Sequence, residues 1–147
     1  TTVSNCGDYA FPFGDAWHPY FSLGNDLKQC ELTMSPCAEI VHENDLPNGE
    51  KRAFDRSSLS NDLINQSLNH CFEFEATATN QLTLTRSDSS AAIHYQQDAS
   101  YPFVQIYTPT SEQSIAFEPM TYPADAFNNK KGLLTPSPNQ SQTFNSQ

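Results

Sequence analysis

Residues 71–86 read CFEFEATA, TN, QLTLTR, and this stretch decides the fold class. From Cys71 to Ala78 apolar and polar residues alternate, with Phe72, Phe74 and Ala76 on one face and Glu73, Glu75 and Thr77 on the other. Successive side chains of an extended strand point to opposite faces, so this period of two predicts a half-buried strand. Gln81–Arg86 repeats it with Leu82 and Leu84 inward, and Thr79-Asn80 between the runs predicts a hairpin turn. Working outward, six more short segments have strand character: Trp17–Leu23, Gln29–Met34, Ala38–His42, Ala91–Gln96, Phe103–Thr108 and Ser114–Glu118. Each is bounded by Gly, Pro, Asn, Asp or Ser. Strands at this spacing, with few helical windows, predict an all-β antiparallel sandwich or barrel.

Between the strands, Leu46-Pro47-Asn48-Gly49 predicts a turn, because proline presets φ and Asn-Gly accepts positive φ. Ser60–Ser67 predicts one or two helical turns capped by Ser60 or Asn61. The polar tail 135–147, TPSPNQSQTFNSQ, reads as a disordered end or an edge strand. Proline-punctuated aromatic stretches recur around Pro19 and Pro102 but set no repeat.

The 147 residues suit a single domain, 1–147, large enough to bury one core. Seven Lys+Arg against 17 Asp+Glu give a net charge of −10. That balance excludes a nucleic-acid partner, which needs clustered cations against phosphate, and an anionic membrane surface. Charged residues make up 16% of the chain, so hydroxyl and amide groups carry much of the solubility. Such a surface suits a neutral polyhydroxylated ligand at least as well as an ionic one. No apolar run reaches the length of a membrane span. Thr-Thr-Val-Ser-Asn lacks both an initiator Met and leader-like features, so the chain reads as processed or as a piece of a longer protein. Cys6, Cys30, Cys37 and Cys71 form no C-x-x-C pair and are expected as free, mostly buried thiols, with no zinc site. The compartment expected is the cytoplasm, with periplasmic or secreted placement left open by the missing start.

Two residues stand out for chemistry. His18 lies in Trp17-His18-Pro19-Tyr20, where the proline holds the preceding backbone extended and so restrains the imidazole. It reads either as a histidine packed on an aromatic edge or as a proton donor or hydroxyl ligand. Glu118 ends the alternating run Ile115-Ala116-Phe117-Glu118 before Pro119, and reads as a solvated rim carboxylate or a general base. Sharing a site, the two would be the minimum pair for taking one proton from a hydroxyl and giving another to an ether oxygen. Gln105 is a lone amide on one strand face with Phe103 and Tyr107 and requires a backbone or ligand partner. His42, His70 and His94 show no ligand spacing and read as structural or surface residues. G-x-S-x-G, P-loop and G-x-G-x-x-G motifs are lacking, so nucleophile-elbow and nucleotide-binding classes lose their usual support. Asn65-Gln66-Ser67 and Asn139-Gln140-Ser141 match a glycosylation sequon, relevant only in a secreted eukaryotic context.

The order WHPYFSLG, LNHCF, PFVQIYTP, IAFEPMTYPADAFN and a closing L-x-P resembles the C-terminal half of aldose 1-epimerases, the galactose mutarotases, over about residues 10 to 138. The resemblance implies a large antiparallel β-sandwich of which this chain is part. It implies that His18 is the general acid toward the pyranose ring oxygen and Glu118 the base toward the anomeric hydroxyl. It also implies that Gln105 and the Asn69 position face the sugar; Trp17 or Tyr20 would stack on its C–H face. The implied substrate is a monosaccharide, with no metal and no organic cofactor, because the sugar's own oxygens carry the reaction.

Three departures accompany the resemblance. Asn69 stands where the family places an aspartate, and an amide lacks its charge-assisted acceptance. Ser137 stands where a glycine often closes the L-x-P turn. The family's N-terminal half, with its Arg, Asn and His sugar ligands, has no counterpart, so an N-terminal half or second chain is expected to complete the sandwich and cover unpaired edges. The function expected is anomer interconversion of a neutral aldose. Alternatives are a hexose-6-phosphate 1-epimerase, short of cations here, and a carbohydrate-binding module without catalysis.

Overall fold

A computed structural model describes residues 1–24, 26–54, 67–75 and 77–147. Among the described residues there are eleven strands: β1 (Thr2–Ser4), β2 (Tyr20–Phe21), β3 (Cys30–Met34), β4 (Cys37–Glu43), β5 (Leu46–Ala53), β6 (Asn69–Phe74), β7 (Thr79–Arg86), β8 (Ala92–Asp98), β9 (Phe103–Tyr107), β10 (Ile115–Met120) and β11 (Ser141–Thr143). A short helix, α1 (Ala126–Asn129), follows β10. Every strand pair is antiparallel: a six-stranded sheet β2-β10-β9-β6-β4-β5, a three-stranded sheet β3-β7-β8, and the pair β1-β11. The family's antiparallel sandwich is therefore what these residues build.

The core lies between the two larger sheets. Leu32 and Met34 of β3, Leu82 and Leu84 of β7 and Tyr95 of β8 meet Phe72, Phe74, Val104, Ile106, Ile115 and Phe117 from the other side. Both leucines of β7 and Phe117 are fully enclosed, and each such side chain contributes roughly 1.5–3 kcal/mol through removal from water. The opposite face of the six-stranded sheet carries a smaller apolar cluster of Ile40, Cys71 and Phe103, flanked by Met120.

The pairing corrects the expected hairpin. Phe72, Phe74, Leu82 and Leu84 all point inward as the alternation predicted, but β6 pairs with β4 and β9 while β7 pairs with β3 and β8. Between β6 and β7 the chain thus passes from one sheet to the other, and the apolar faces meet across the core instead of lying side by side. The turn expected at 46–49 is also displaced. Asn44 and Asp45, at φ 52° and 65°, connect β4 to β5, since Asn and Asp tolerate the left-handed region that a two-residue hairpin requires. Pro47 then pairs with His42, and the register shift that follows is absorbed around Gly49, whose φ is 91°. Proline and a bulge are both tolerated there because β5 is an edge strand.

Of the segment expected from Trp17 to Leu23, only Tyr20–Phe21 is strand; β1, β5 and β11 were not anticipated as such, apart from the edge-strand alternative for the tail. In that tail β11 lies against β1, and Phe144 is buried beside Phe13 and Tyr101. The helical turns expected at 60–67 fall outside the described residues except for Ser67. Cys6 is exposed and Cys30, Cys37 and Cys71 are buried, all as thiols. No helix among the described residues is long and apolar enough to cross a membrane.

Candidate active site

Strand register determines which side chains meet on the outer face of the six-stranded sheet. In β10, Ile115 and Phe117 enter the core, so Ala116, Glu118 and Met120 face outward. In β9, Val104 and Ile106 enter the core, leaving Phe103, Gln105 and Tyr107 outward. Glu118 pairs with Gln105, Gln105 with Cys71, and Cys71 with Ile40, which makes one row across four strands. In the next row Asn69 pairs with Tyr107 and Ala116 with Tyr20.

His18 reaches this face from the strap before β2. Trp17 N–H donates to the Pro119 carbonyl at 3.2 Å, and Asp15 and Thr121 exchange two 3.0 Å hydrogen bonds, so residues 15–17 run beside the end of β10. The Asp15 carboxylate accepts from the Tyr101 hydroxyl, which anchors the strap to the body of the fold. Continuing the β2–β10 register by two residues sets His18 opposite Glu118. Its Nε2 lies 2.9 Å from Glu118 Oε1. The imidazole rests on the Tyr20 ring at 4.8 Å and meets the Tyr107 ring edge-on at 6.2 Å.

The pair is electrostatically asymmetric. The side chain of Glu118 is 14% exposed and that of His18 49%. Burial raises the Glu118 pKa above the ordinary glutamate value, and the nearby His18 charge offsets this only in part. A half-exposed imidazolium is screened by water, so its attraction is the weaker effect. Within the row, burial pushes the Cys71 thiol up to about 12, which leaves it unreactive packing.

Gln105 Nε2 donates to Asn69 Oδ1 at 2.6 Å, which orients the two amides against each other. With His18, Glu118 and Tyr107 they line an open hollow of about 580 Å³. Met120, Tyr122 and Ala124 line it as well. The Tyr122 ring lies so near Gly14 that a Cβ there would sit 1.9 Å from it, so glycine at this position is what admits the ring. His42 and Asp45, from β4 and the β4–β5 turn, complete its lining. Among the described residues no group of three or more His, Cys, Asp and Glu converges as metal ligands would.

Of the residues singled out in the sequence, His18, Glu118, Gln105 and Asn69 meet in this hollow, and Tyr20 supports His18 from outside it. Trp17 is not brought there: the residue is 56% exposed and its indole N–H donates to Thr1 Oγ1 at 2.9 Å. Sequence reasoning missed Tyr122, His42 and Asp45. Tyr107 was legible, since it shares strand parity with Gln105.

The site thus sets an imidazole–carboxylate pair among amides and aromatic rings on one face of an antiparallel β-sandwich. The family profile for aldose 1-epimerase matches residues 1–147, so the chain belongs to the aldose 1-epimerase family. A galactose mutarotase-like protein from Clostridium acetobutylicum superposes with a TM-score of 0.81 at 16% identity, over 99% of this chain and 51% of that one. A protein from Synechocystis sp. PCC 6803 superposes at 0.74 and 20% identity, over 99% of this chain and 48% of that one. The chain thus spans about half the length of these solved structures. No curated protein sequence matches it significantly.

Proposed function

We propose that this chain carries the acid–base centre of a mutarotase, which interconverts the α and β anomers of a neutral aldose. The observation that supports this most directly is the 2.9 Å contact between His18 Nε2 and Glu118 Oε1 at the floor of a sugar-sized hollow. The ring oxygen and the anomeric hydroxyl of a pyranose share one carbon, so an acid and a base in mutual contact can each address one of them. A general acid or base must come within about 2.6–3.2 Å of the oxygen it serves.

In the forward step Glu118 takes the proton of the anomeric hydroxyl while His18 protonates the ring oxygen. The C1–O5 bond breaks and the free aldehyde forms. Rotation about C1–C2 presents the other carbonyl face, and closure reverses both transfers, leaving each side chain as it began. Gln105 and Asn69 hold ring hydroxyls, while Tyr107 and Tyr122 offer aromatic surface to C–H groups. Trp17 has no part in this reading.

A neutral sugar is favoured over a hexose 6-phosphate because no Lys or Arg is found among the described residues that line the hollow, whereas Glu118 and Asp45 are. Two nearby lysines, Lys51 and Lys131, are held by Glu73. Polarimetry with fresh α-D-glucose and α-D-galactose tests the proposal: decay of rotation faster than in buffer, lost in Glu118→Gln, is expected. Decay at the buffer rate for every aldose would leave a binding role only, and the activity proposal would be wrong.

A further inference from the structure

Away from the hollow, Asn48 and Gly49 lie where the fold leaves backbone outside its regular pairing. They belong to β5, the outer strand of the six-stranded sheet. Its register with β4 runs Ala38↔Ala53, Glu39↔Arg52 and Ile40↔Lys51, then resumes at His42↔Pro47 and Glu43↔Leu46. Asn48, Gly49 and Glu50 therefore bulge out opposite Val41 alone, without register partners of their own. All three are exposed, and a Cβ placed on Gly49 would meet nothing within 4 Å.

Within this bulge the Glu50 N–H donates to Asn48 Oδ1 at 2.9 Å. A hydrogen bond from the backbone to an asparagine oxygen two residues earlier closes an Asx-turn. The turn folds the Asn48 side chain back along the intervening peptide, so that Cγ and the Gly49 nitrogen share one side. It also sets a fixed donor on the oxygen that gains negative charge when a nucleophile adds to Cγ, and such donors stabilise a tetrahedral oxyanion. Glycine has no Cβ to shield its nitrogen or to restrict the backbone rotation that brings it to Cγ. Every other asparagine of the chain precedes a residue with a side chain.

We infer that Asn48 is a site of self-modification, converted to aspartate and isoaspartate through a cyclic imide with Gly49, with water as co-reactant. The Gly49 nitrogen gives its proton to a solvent base and bonds to Asn48 Cγ. The Cγ–Nδ2 bond then breaks, and the departing nitrogen gains a proton and leaves as ammonia. Water opens the imide at either carbonyl. Breaking the bond between the nitrogen and Cγ gives aspartate. Breaking the bond between the nitrogen and the Asn48 backbone carbonyl carbon gives isoaspartate, with the main chain running on through Cγ. Overall one water is consumed and one ammonia released, with no oxidation or reduction. Either product adds a negative charge to a chain already at −10. The added backbone carbon of isoaspartate falls where the register is already out of step, so the flanking pairs need not shift. The inference is independent of the mutarotase reading.

The experiment ages the full chain in warm, mildly alkaline buffer, folded in one arm and unfolded by urea in the other. Peptide mapping by mass spectrometry follows each asparagine, and a protein isoaspartyl methyltransferase labels the isoaspartyl product. In the folded arm Asn48 is expected to convert at least tenfold faster than any other asparagine, and no more slowly than in urea. Asn48→Gln, which would have to close a larger ring, should remove the signal at this position. Gly49→Ala should slow conversion at least tenfold. Alanine is strained at the φ of 91° found here, but the urea arm uses the unchanged sequence, so the test stands even if that variant fails to fold. A smaller margin over the other asparagines overturns the site. Conversion that is slower in the folded chain than in urea overturns the role given to the bulge and its hydrogen bond.

Discussion

Replacing Glu118 by glutamine removes the proposed base while keeping its size and hydrogen-bonding shape. Glutamine fits where the carboxylate lies 2.9 Å from His18 Nε2, so the strap and β10 need not move. What disappears is the capacity to take a proton, which in general acid–base catalysis is worth about 10²–10⁴ in rate. At about 1.36 kcal/mol per tenfold, the barrier rises by roughly 2.7–5.4 kcal/mol. Glu118→Asp gives an intermediate case. Losing one methylene withdraws the carboxylate by about 1.5 Å, beyond hydrogen-bond reach of a sugar held in place, and a displacement of that order costs around 10²-fold. Polarimetric kcat for both variants gives the comparison, and urea denaturation gives the control. Burial raises the Glu118 pKa, so the folded chain binds that proton more tightly than the unfolded chain. The wild type accordingly loses stability as pH rises from the unfolded glutamate value through the raised folded one. Glutamine escapes this loss, so Glu118→Gln should match or exceed wild-type stability at pH 7, with the difference shrinking toward pH 4. By the same titration, wild-type activity should fall on the acid side at a higher pH than an ordinary glutamate would give. A variant that is fully folded yet keeps more than a tenth of wild-type kcat would refute the assignment of Glu118 as base.

Other expectations follow from particular contacts. Asn69→Asp restores a charged acceptor beside Gln105; a charged hydrogen bond exceeds a neutral one by about 0.5–1.5 kcal/mol, so KM for the preferred sugar should drop about three- to tenfold. An unchanged or higher KM would show that Asn69 does not touch the sugar. Gly14→Ala forces the Tyr122 ring out of a wall of the hollow; calorimetric melting should show a loss of about 1–3 kcal/mol together with weaker sugar binding. Leu84→Ala opens a fully enclosed core position and should cost about 2–5 kcal/mol in a urea titration, with the linear slope unchanged. Partial burial works against it, yet hydrogen bonds and charges from Lys131 and Lys51 hold the Glu73 carboxyl below its usual range. That stabilisation is present above the unfolded glutamate value and lost as pH falls through the lower folded one, so in acid titrations Glu73→Gln should blunt the decline.

Alternation along each strand was enough to assign faces: Phe72, Phe74, Leu82, Leu84, Ile115 and Phe117 all enter the core as their spacing requires. It also determined that Gln105 and Tyr107 share a face. Pairing was beyond its reach, because a hairpin and a crossover between sheets show the same period of two. Hence β6 and β7, adjacent in sequence, part company, and Asn44-Asp45 takes the turn that Pro47-Asn48-Gly49 was expected to make. The hollow shows the same division. Residue types and a family resemblance marked His18, Glu118, Gln105 and Asn69, but nothing local in the chain marks His42, which reaches the hollow only because β4 lies beside β6. Composition and periodicity are properties of the chain taken a few residues at a time, and they determine faces, charge and class. The meeting of an imidazole and a carboxylate one hundred positions apart is set by backbone hydrogen bonds between distant strands, and only the assembled sheet decides it.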